Sequence, residues 1–544
     1  MSKVEDIFGK ESSFVSELPD TTNDAGYKAY SMEEKEEYVK MLVANTIRNA
    51  YYTDRDELLE RAQKKHKEMV EKDPEFMAKA LVYARNKGYM RLQPIFGLTE
   101  FVENYPEKLK KWDLFQQVCR IPSDIFEFMT IMKSKGHGTC GRAVKRQINN
   151  FLNEKLSEYW ALKYNGRGRG FNLTDLIRIS HPHPKNNYKD KLFNYLATDG
   201  DGDKWNEFDK NKSNITLKKI HYYEAAKQWS TEYRKREENN NLTESFKKDY
   251  EDKILEYVDK GQLPRRTVTS IAKMTPKMWE TLLYDMPVFE MLRHLSTFEK
   301  NGLFEKIEVI NHIRNRLTDK KTIKNAKILP FRFAKAFDYV NNYEIRDILR
   351  EGVENSLVNI PELPGETAIF LDVSGSMGGG YEFGVRARHE GETANLFAFA
   401  LYKKSNCPIF LKFNNSVQEV RPSRADSILT QAKELSPMGG TSAELPVRKI
   451  RQNNRLVDNI IMITDQQQQQ GDSFYSELKR YRRTVNKDVK TFIVDVGTHS
   501  GNMTPPSDEN TYYCFGWSSN ILKYIPQQIR GFDGMIDEVE NVSL

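Results

Sequence analysis

Apolar positions along the chain follow two different periods, and the change between them falls near Ile360. From about Glu34 to Ser356 they recur at three- and four-residue intervals. Asp73-Pro74 has the form of a cap followed by proline in a first turn, and Phe76, Ala80, Leu81 and Ala84 then repeat at helical spacing. After Met286-Pro287, the residues Val288, Met291, Leu292, Leu295 and Phe298 do the same. Proline separates further segments at Ile121-Pro122, Leu263-Pro264, Thr275-Pro276 and Leu329-Pro330. A succession of short amphipathic helices predicts an α-solenoid of helix pairs.

A charged stretch, 199–260, interrupts that pattern around an aromatic helix near Tyr222–Trp229. Asp199, Asp201 and Asp203 have the spacing of a calcium loop, but Lys204 and Lys210 stand where an EF-hand needs glycine and glutamate. Calcium is therefore not expected there. Residues 1–30 are polar and mixed, and are expected to form a poorly ordered tail.

Beyond Ile360 the period shortens. Pro361 and Pro364 mark a linker, followed by strand-like runs at Thr367–Val373, Pro408–Phe413, Val457–Thr464 and Val489–Val496. Helical patterns at Glu392–Lys404, Ala425–Glu434 and Phe474–Arg483 lie between them. Alternating strands and helices predict a parallel, doubly wound α/β sheet with ligands at the carboxyl ends of its strands. The reading is a multidomain chain: a tail over 1–30, an all-α helical-repeat domain over 31–359, and an α/β domain over 360–544.

Composition narrows the class. At 544 residues, 39% hydrophobic and 29% charged, the chain is long enough for two or more cores. No window holds eighteen apolar residues in a row, so no transmembrane helix and no membrane partner are expected. The beginning, MSKVEDIFGKESSF, has no apolar signal core. Four dispersed cysteines without a CxxC pair argue against a zinc site or a disulfide framework, and a cytoplasmic location is expected. The overall charge of +6 says little, but its distribution is uneven. Lys133 to Lys191 holds thirteen lysines and arginines against four acids, a net of +9, whereas residues 360–544 hold 20 basic and 22 acidic residues, a net of −2. Such concentration marks a polyanion site.

Two constellations carry chemistry. In the α/β half, Asp372-Val-Ser374-Gly-Ser376, Gly439-Gly440-Thr441 and Thr464-Asp465 all fall at or beside predicted strand ends. Two carboxylates, Asp372 and Asp465, and three hydroxyls, Ser374, Ser376 and Thr441, form an all-oxygen donor set suited to a hard divalent cation such as magnesium. No histidine or cysteine nucleophile stands near in sequence, so the site reads as binding or structural, not catalytic. The Gln466–Gln470 run that follows is unusual and leaves the loop geometry open.

In the helical half, Arg142, Lys145 and Arg146 share one helix face. Lys163, Arg167 and Arg169 flank a glycine-rich turn, and His181 ends the following helix. Tyr164 and Phe171 offer stacking surfaces for unpaired bases. This set predicts RNA binding.

The three-piece oxygen site resembles the metal-ion-dependent adhesion site (MIDAS) of von Willebrand A domains. GRAVKRQI, LKYNGRGRGFNLTDLIRISHP, MPVFEMLRHL and ILPFRF resemble the TROVE module of the Ro autoantigen ribonucleoprotein family and its bacterial relatives. Together the resemblance spans about residues 30–530. It implies a ring of HEAT-like repeats closed by the A-type domain, binding small noncoding Y RNA and the single-stranded 3′ ends of misfolded RNAs in RNA quality control. It further implies an exoribonuclease partner, a monomeric protein within the ribonucleoprotein, and no DNA specificity. Family RNA contacts map onto Lys163, His181 and one of Arg167 and Arg169, because the GRGR turn is one residue longer than the family's. A second reading is a metal-dependent protein-interaction scaffold whose adhesion site captures an acidic partner residue.

Overall fold

The computed structural model describes residues 19–23, 26–44, 55–88, 90–136, 141–164, 170–198, 217–378, 381–382, 385–386, 390–497, 501–505, 508, 510–515, 525–526, 529 and 535–544. The chain divides into two compact units. One holds residues 66–328, 332–356 and 542–544, and the other residues up to 65, 329–331 and 357–541.

The chain enters the description with a two-stranded antiparallel ribbon, β1 (Thr21–Thr22) and β2 (Lys28–Ala29), then α1 (Glu34–Ala44). These elements belong to the C-terminal unit. The expected domain boundary at residue 31 is thereby corrected: the described residues 19–23 and 26–44 group together with the C-terminal unit, while residues 1–18 of the expected tail lie outside the described residues. The cause is chemical. Tyr30 exchanges backbone hydrogen bonds with Asn502 at 3.0 Å, its ring packs edge-on against Tyr475, and Lys40 forms a buried ion pair with Asp495 at 2.5 Å.

The helical unit includes α2 (Pro74–Asn86), α3 (Leu92–Asn104), α4 (Pro122–Ser134), α5 (Arg142–Lys155), α6 (Glu158–Tyr164), α7 (Leu173–Ser180), α8 (Asn187–Ala197), α9 (Lys218–Glu238), α10 (Glu244–Gly261) and α11 (Val288–Lys300), with further helices between and after them. α2 begins as its sequence dictates: Asp73 accepts from the Phe76 amide at 2.9 Å, Pro74 fills the first turn, and Phe76, Ala80, Leu81 and Ala84 are buried. In α11 the buried face is Val288, Met291, Leu292, Leu295 and Phe298. The stretch 217–260, expected as a charged interruption, is regular: α9 and α10 pack together through stacked Trp229 and Phe246 (5.7 Å between centroids) and through Tyr233 and Tyr250 (4.4 Å). The excluded calcium loop at 199–210 lies outside the described residues.

In the α/β unit the chain runs β3 (Leu363–Asp372), α12 (Glu390–Lys404), β4 (Ser405–Phe413), β5 (Val417–Val420), α13 (Glu444–Gln452), β6 (Asn459–Thr464), α14 (Phe474–Thr484), β7 (Lys490–Asp495) and β8 (Thr511–Phe515). The sheet order is β8-β7-β6-β3-β4-β5, parallel except for β5 at one edge. β6 is buried at every position, as a central parallel strand covered on both faces should be. Phe370, Leu411, Phe413, Ile460 and Met462 from the strands meet Val447, Phe474, Leu478 and Tyr481 in one core. β3 lies between β4 and β6, so the chain leaves it first to one side and later to the other. A crevice opens at the carboxyl end of such a strand, and ligands bind there in folds of this class.

Candidate functional site

All five oxygen donors picked out by sequence gather at that switch point. Asp372 is the last residue of β3 and Asp465 follows the last residue of β6. The third piece is docked by backbone hydrogen bonds, Met438 N donating to Val373 O at 2.8 Å and Gly375 N to Gly439 O at 2.8 Å. Glycine suits two points there: Gly439 has φ +80°, which other residues rarely adopt, and a Cβ on Gly440 would lie 2.8 Å from Asn415 Oδ1 and displace that side chain. Asp372, Ser374, Ser376, Thr441 and Asp465 are each less than 5% exposed.

Within the pocket, Asp372 Oδ1 accepts from the Ser374 amide (2.8 Å) and Asp372 Oδ2 from the Thr464 hydroxyl (2.7 Å). Ser374 Oγ and Ser376 Oγ are 3.2 Å apart. Asp465 Oδ1 accepts from the Gln467 amide at 3.1 Å. Burial, and then the nearby Asp465 carboxylate, raise the pKa of Asp372 well above the ordinary carboxylate range. The Thr441 hydroxyl is buried and has no hydrogen-bond partner among the described residues. Two like charges held together and an orphaned hydroxyl are what a cation would resolve, so the donor set fits a hard divalent ion. Among the described residues no three His, Cys, Asp or Glu side chains cluster as metal ligands, and hydroxyls would have to complete this site.

Sequence reasoning placed Thr464 in the constellation without a role and missed Asn23. Thr464 clamps Asp372, a role its place at the end of β6 beside Asp465 made discoverable. Asn23, far away in sequence, donates from its amide to the backbone oxygens of Gln468 (2.9 Å) and Gln466 (3.4 Å), and no local signal marked it.

The cationic set sits on neighbouring helices. α5 buries Val144, Gln147, Ile148, Phe151 and Leu152, which leaves Arg142 and Arg146 exposed and Lys145 half-buried. Cations in a first turn oppose the helix dipole, so they do not serve helix stability; together with the dipole they favour an anion. No carboxylate among the described residues pairs with any of the three. His181 caps α7 in a left-handed conformation (φ +45°), exposed to solvent. The loop beyond it is tied along α5: His183 N donates to Asn149 Oδ1 (3.1 Å), Asn153 Nδ2 to His183 O (2.9 Å), and Lys185 N to Asn153 Oδ1 (3.0 Å). Phe151 of α5 stacks on Trp160 of α6, and the Lys163 ammonium lies over the Tyr159 and Tyr164 rings at 5.3 and 5.4 Å. Phe171 is half-buried beneath Lys133. Arg167 and Arg169 lie outside the described residues.

The net charge read from the sequence overstates what faces solvent. Lys189 and Lys191 are buried, Lys189 donating to the carbonyls of Leu152 (2.9 Å) and Leu156 (2.5 Å) that end α5. Lys135 is neutralised by Glu100 and Glu103, and Lys185 by Glu154. The residual cations concentrate on α5 and α6.

Residues 367–529 match the family model described as the Ro60 vWA domain. Over 475 residues the chain is 24% identical to the RNA-binding protein RO60 of Caenorhabditis elegans, covering 77% of this chain and 72% of that protein. The crystal structure of the Deinococcus radiodurans RO (RSR) protein matches with a TM-score of 0.65 at 15% identity, over 92% of this chain and 100% of that one, a likeness of fold. The helical unit followed by a doubly wound α/β unit, the Ro60 vWA match over 367–529 and the nematode relative together support a place for this chain in the Ro family.

Proposed function

We propose that this protein is the RNA-binding component of a ribonucleoprotein, holding a small noncoding Y-like RNA and the single-stranded 3′ ends of misfolded RNAs in RNA stability or quality control. The observation that carries the reading is the unneutralised cationic face: Arg142, Lys145 and Arg146 on α5, with Lys163 and its tyrosines on α6 and the exposed His181 beyond α7. Phosphates neutralise such a face, and aromatic rings take unpaired bases. The name of the nematode relative agrees with it. The protein acts in the cytoplasm as a monomer within the particle, with an exoribonuclease as a candidate partner.

The oxygen-lined pocket belongs to the same proposal as a magnesium site held by Asp372, Ser374, Ser376, Thr441 and Asp465. A bound divalent ion supplies an open coordination position for an acidic group. The orphaned Thr441 hydroxyl and the facing carboxylates favour a second activity, metal-dependent docking of a protein partner. Affinity capture from cell extract, split between nuclease and chelator, separates the two. The RNA reading expects recovered small RNA and nuclease-sensitive partners; recovery of no RNA with chelator-sensitive partners would leave only the docking reading.

A further inference from the structure

Five consecutive glutamines follow Asp465, and the first three are buried at 2%, 0% and 3% exposure. A buried polar loop of this kind must have its amides and carbonyls satisfied. Part of that is local. Gln466 N donates to Thr464 Oγ1 (3.0 Å), the hydroxyl that also clamps Asp372, and Gln469 N donates to Thr441 O (3.0 Å). Gln468 Nε2 donates to Asp472 O (2.6 Å). The rest comes from the other end of the chain. Asn23, 5% exposed, donates to the carbonyls of Gln466 and Gln468 and is itself fixed by the Tyr27 amide on its Oδ1 (2.8 Å). Tyr27 OH donates to Gly471 O at 2.6 Å. Gln466, held at φ +61° against the preference of an L-residue, directs its amide to Asp495, which Lys40 of α1 pairs with.

We propose that residues 19–23 and 26–44 form a clasp that sets the geometry of the loop carrying Asp465, with Asn23 and Lys40 as its positioning residues. One arm holds the loop backbone; the other holds the Gln466 side chain through Asp495. Docking of the N-terminal segment thereby governs how well the two carboxylates and Thr441 converge. The inference rests on the metal reading for its affinity readout alone.

The test uses the full chain with two measurements: hydrogen exchange over residues 465–471 without metal, and Mn2+ binding followed by electron paramagnetic resonance. Asn23→Ala is expected to speed exchange at least tenfold and to weaken Mn2+ about tenfold, with the melting of the helical unit unchanged. Asn23→Asp, of the same size but without the amide donors, is expected to do the same; wild-type behaviour of Asn23→Asp would overturn the hydrogen-bond basis of the clasp. Lys40→Met combined with Asp495→Leu, which removes the second arm's acceptor without stranding a charge, is expected to speed exchange as well. Unchanged exchange in Asn23→Ala overturns the proposal, as does faster exchange with unaltered Mn2+ affinity. If the wild type binds no Mn2+ while Asn23→Ala loosens the loop, the clasp stands and the metal reading falls.

Discussion

At the carboxyl end of β3, Asp372 is buried beside a second carboxylate, and burial with the charge of Asp465 drives its pKa upward. The two groups oppose each other unless a cation lies between them. We expect Mg2+ to raise the melting temperature of the wild type. Thr441→Val should weaken Mg2+ about tenfold, yet leave metal-free stability equal or slightly higher, because it removes a buried hydroxyl that has no partner. Asp372→Asn should abolish the Mg2+ shift. Equal Mg2+ shifts in all three proteins, followed by scanning calorimetry, would remove the metal from the account. A second residue reports on the helical unit. His66 is fully buried against Phe96, and burial lowers its pKa from 6.5 to about 3. Since the folded value is depressed, the unfolded chain takes up the proton first. The stability is therefore whole above pH 6.5 and is lost progressively as the pH falls toward 3. Urea midpoints at pH 7, 5 and 4 should fall in the wild type and fall less in His66→Leu; parallel curves would contradict this.

Between elements, Asp124 is the clearest tie. Fully buried, it accepts from Arg85 of α2 (2.9 Å), from Arg91 just before α3 (2.7 Å), and from the amides of Arg120 (2.9 Å) and Ile121 (3.1 Å) that open α4. Asp124→Ala strands two amides and leaves Arg85 to Val118 O and Arg91 to Glu127 and solvent, and should cost roughly 3 kcal/mol in denaturant unfolding; a loss under 1 kcal/mol would show that solvent takes over those donors. Helices were legible where caps and stripes agree, as at Asp73-Pro74, and strands where an apolar run is continuous, as in β6. α9 was not legible as part of a packed pair. It buries only Ile220, Ala226, Ser230 and Tyr233 over 21 residues, and its packing uses aromatic contacts with α10 that no local window contains. α13 and β8 also went unread: α13 begins three residues after the Gly-Gly-Thr loop in a charged run, and β8 carries the polar-aromatic string TYYCF.

At the scale of the whole chain, the convergence of the oxygen donors at the sheet's switch point was readable because its three pieces each keep a local signature at a strand end. The clasp was not, since Asn23 acts on residues more than 440 positions away. The cationic face was readable in kind and overstated in amount, because sequence cannot show that Lys189 is spent on carbonyls of α5 or that Lys135 faces Glu100 and Glu103. The proposal that what remains exposed binds a polyanion predicts the energetics of counterion release. The most direct test is the dissociation constant for a structured RNA with a single-stranded tail, measured across salt for the wild type and for Arg142→Gln/Lys145→Gln/Arg146→Gln/Lys163→Gln. The account predicts weaker binding by the variant at every salt concentration, and a slope of log affinity against log salt shallower by about 3 to 4. Equal affinity and equal slope in a folded variant would contradict it.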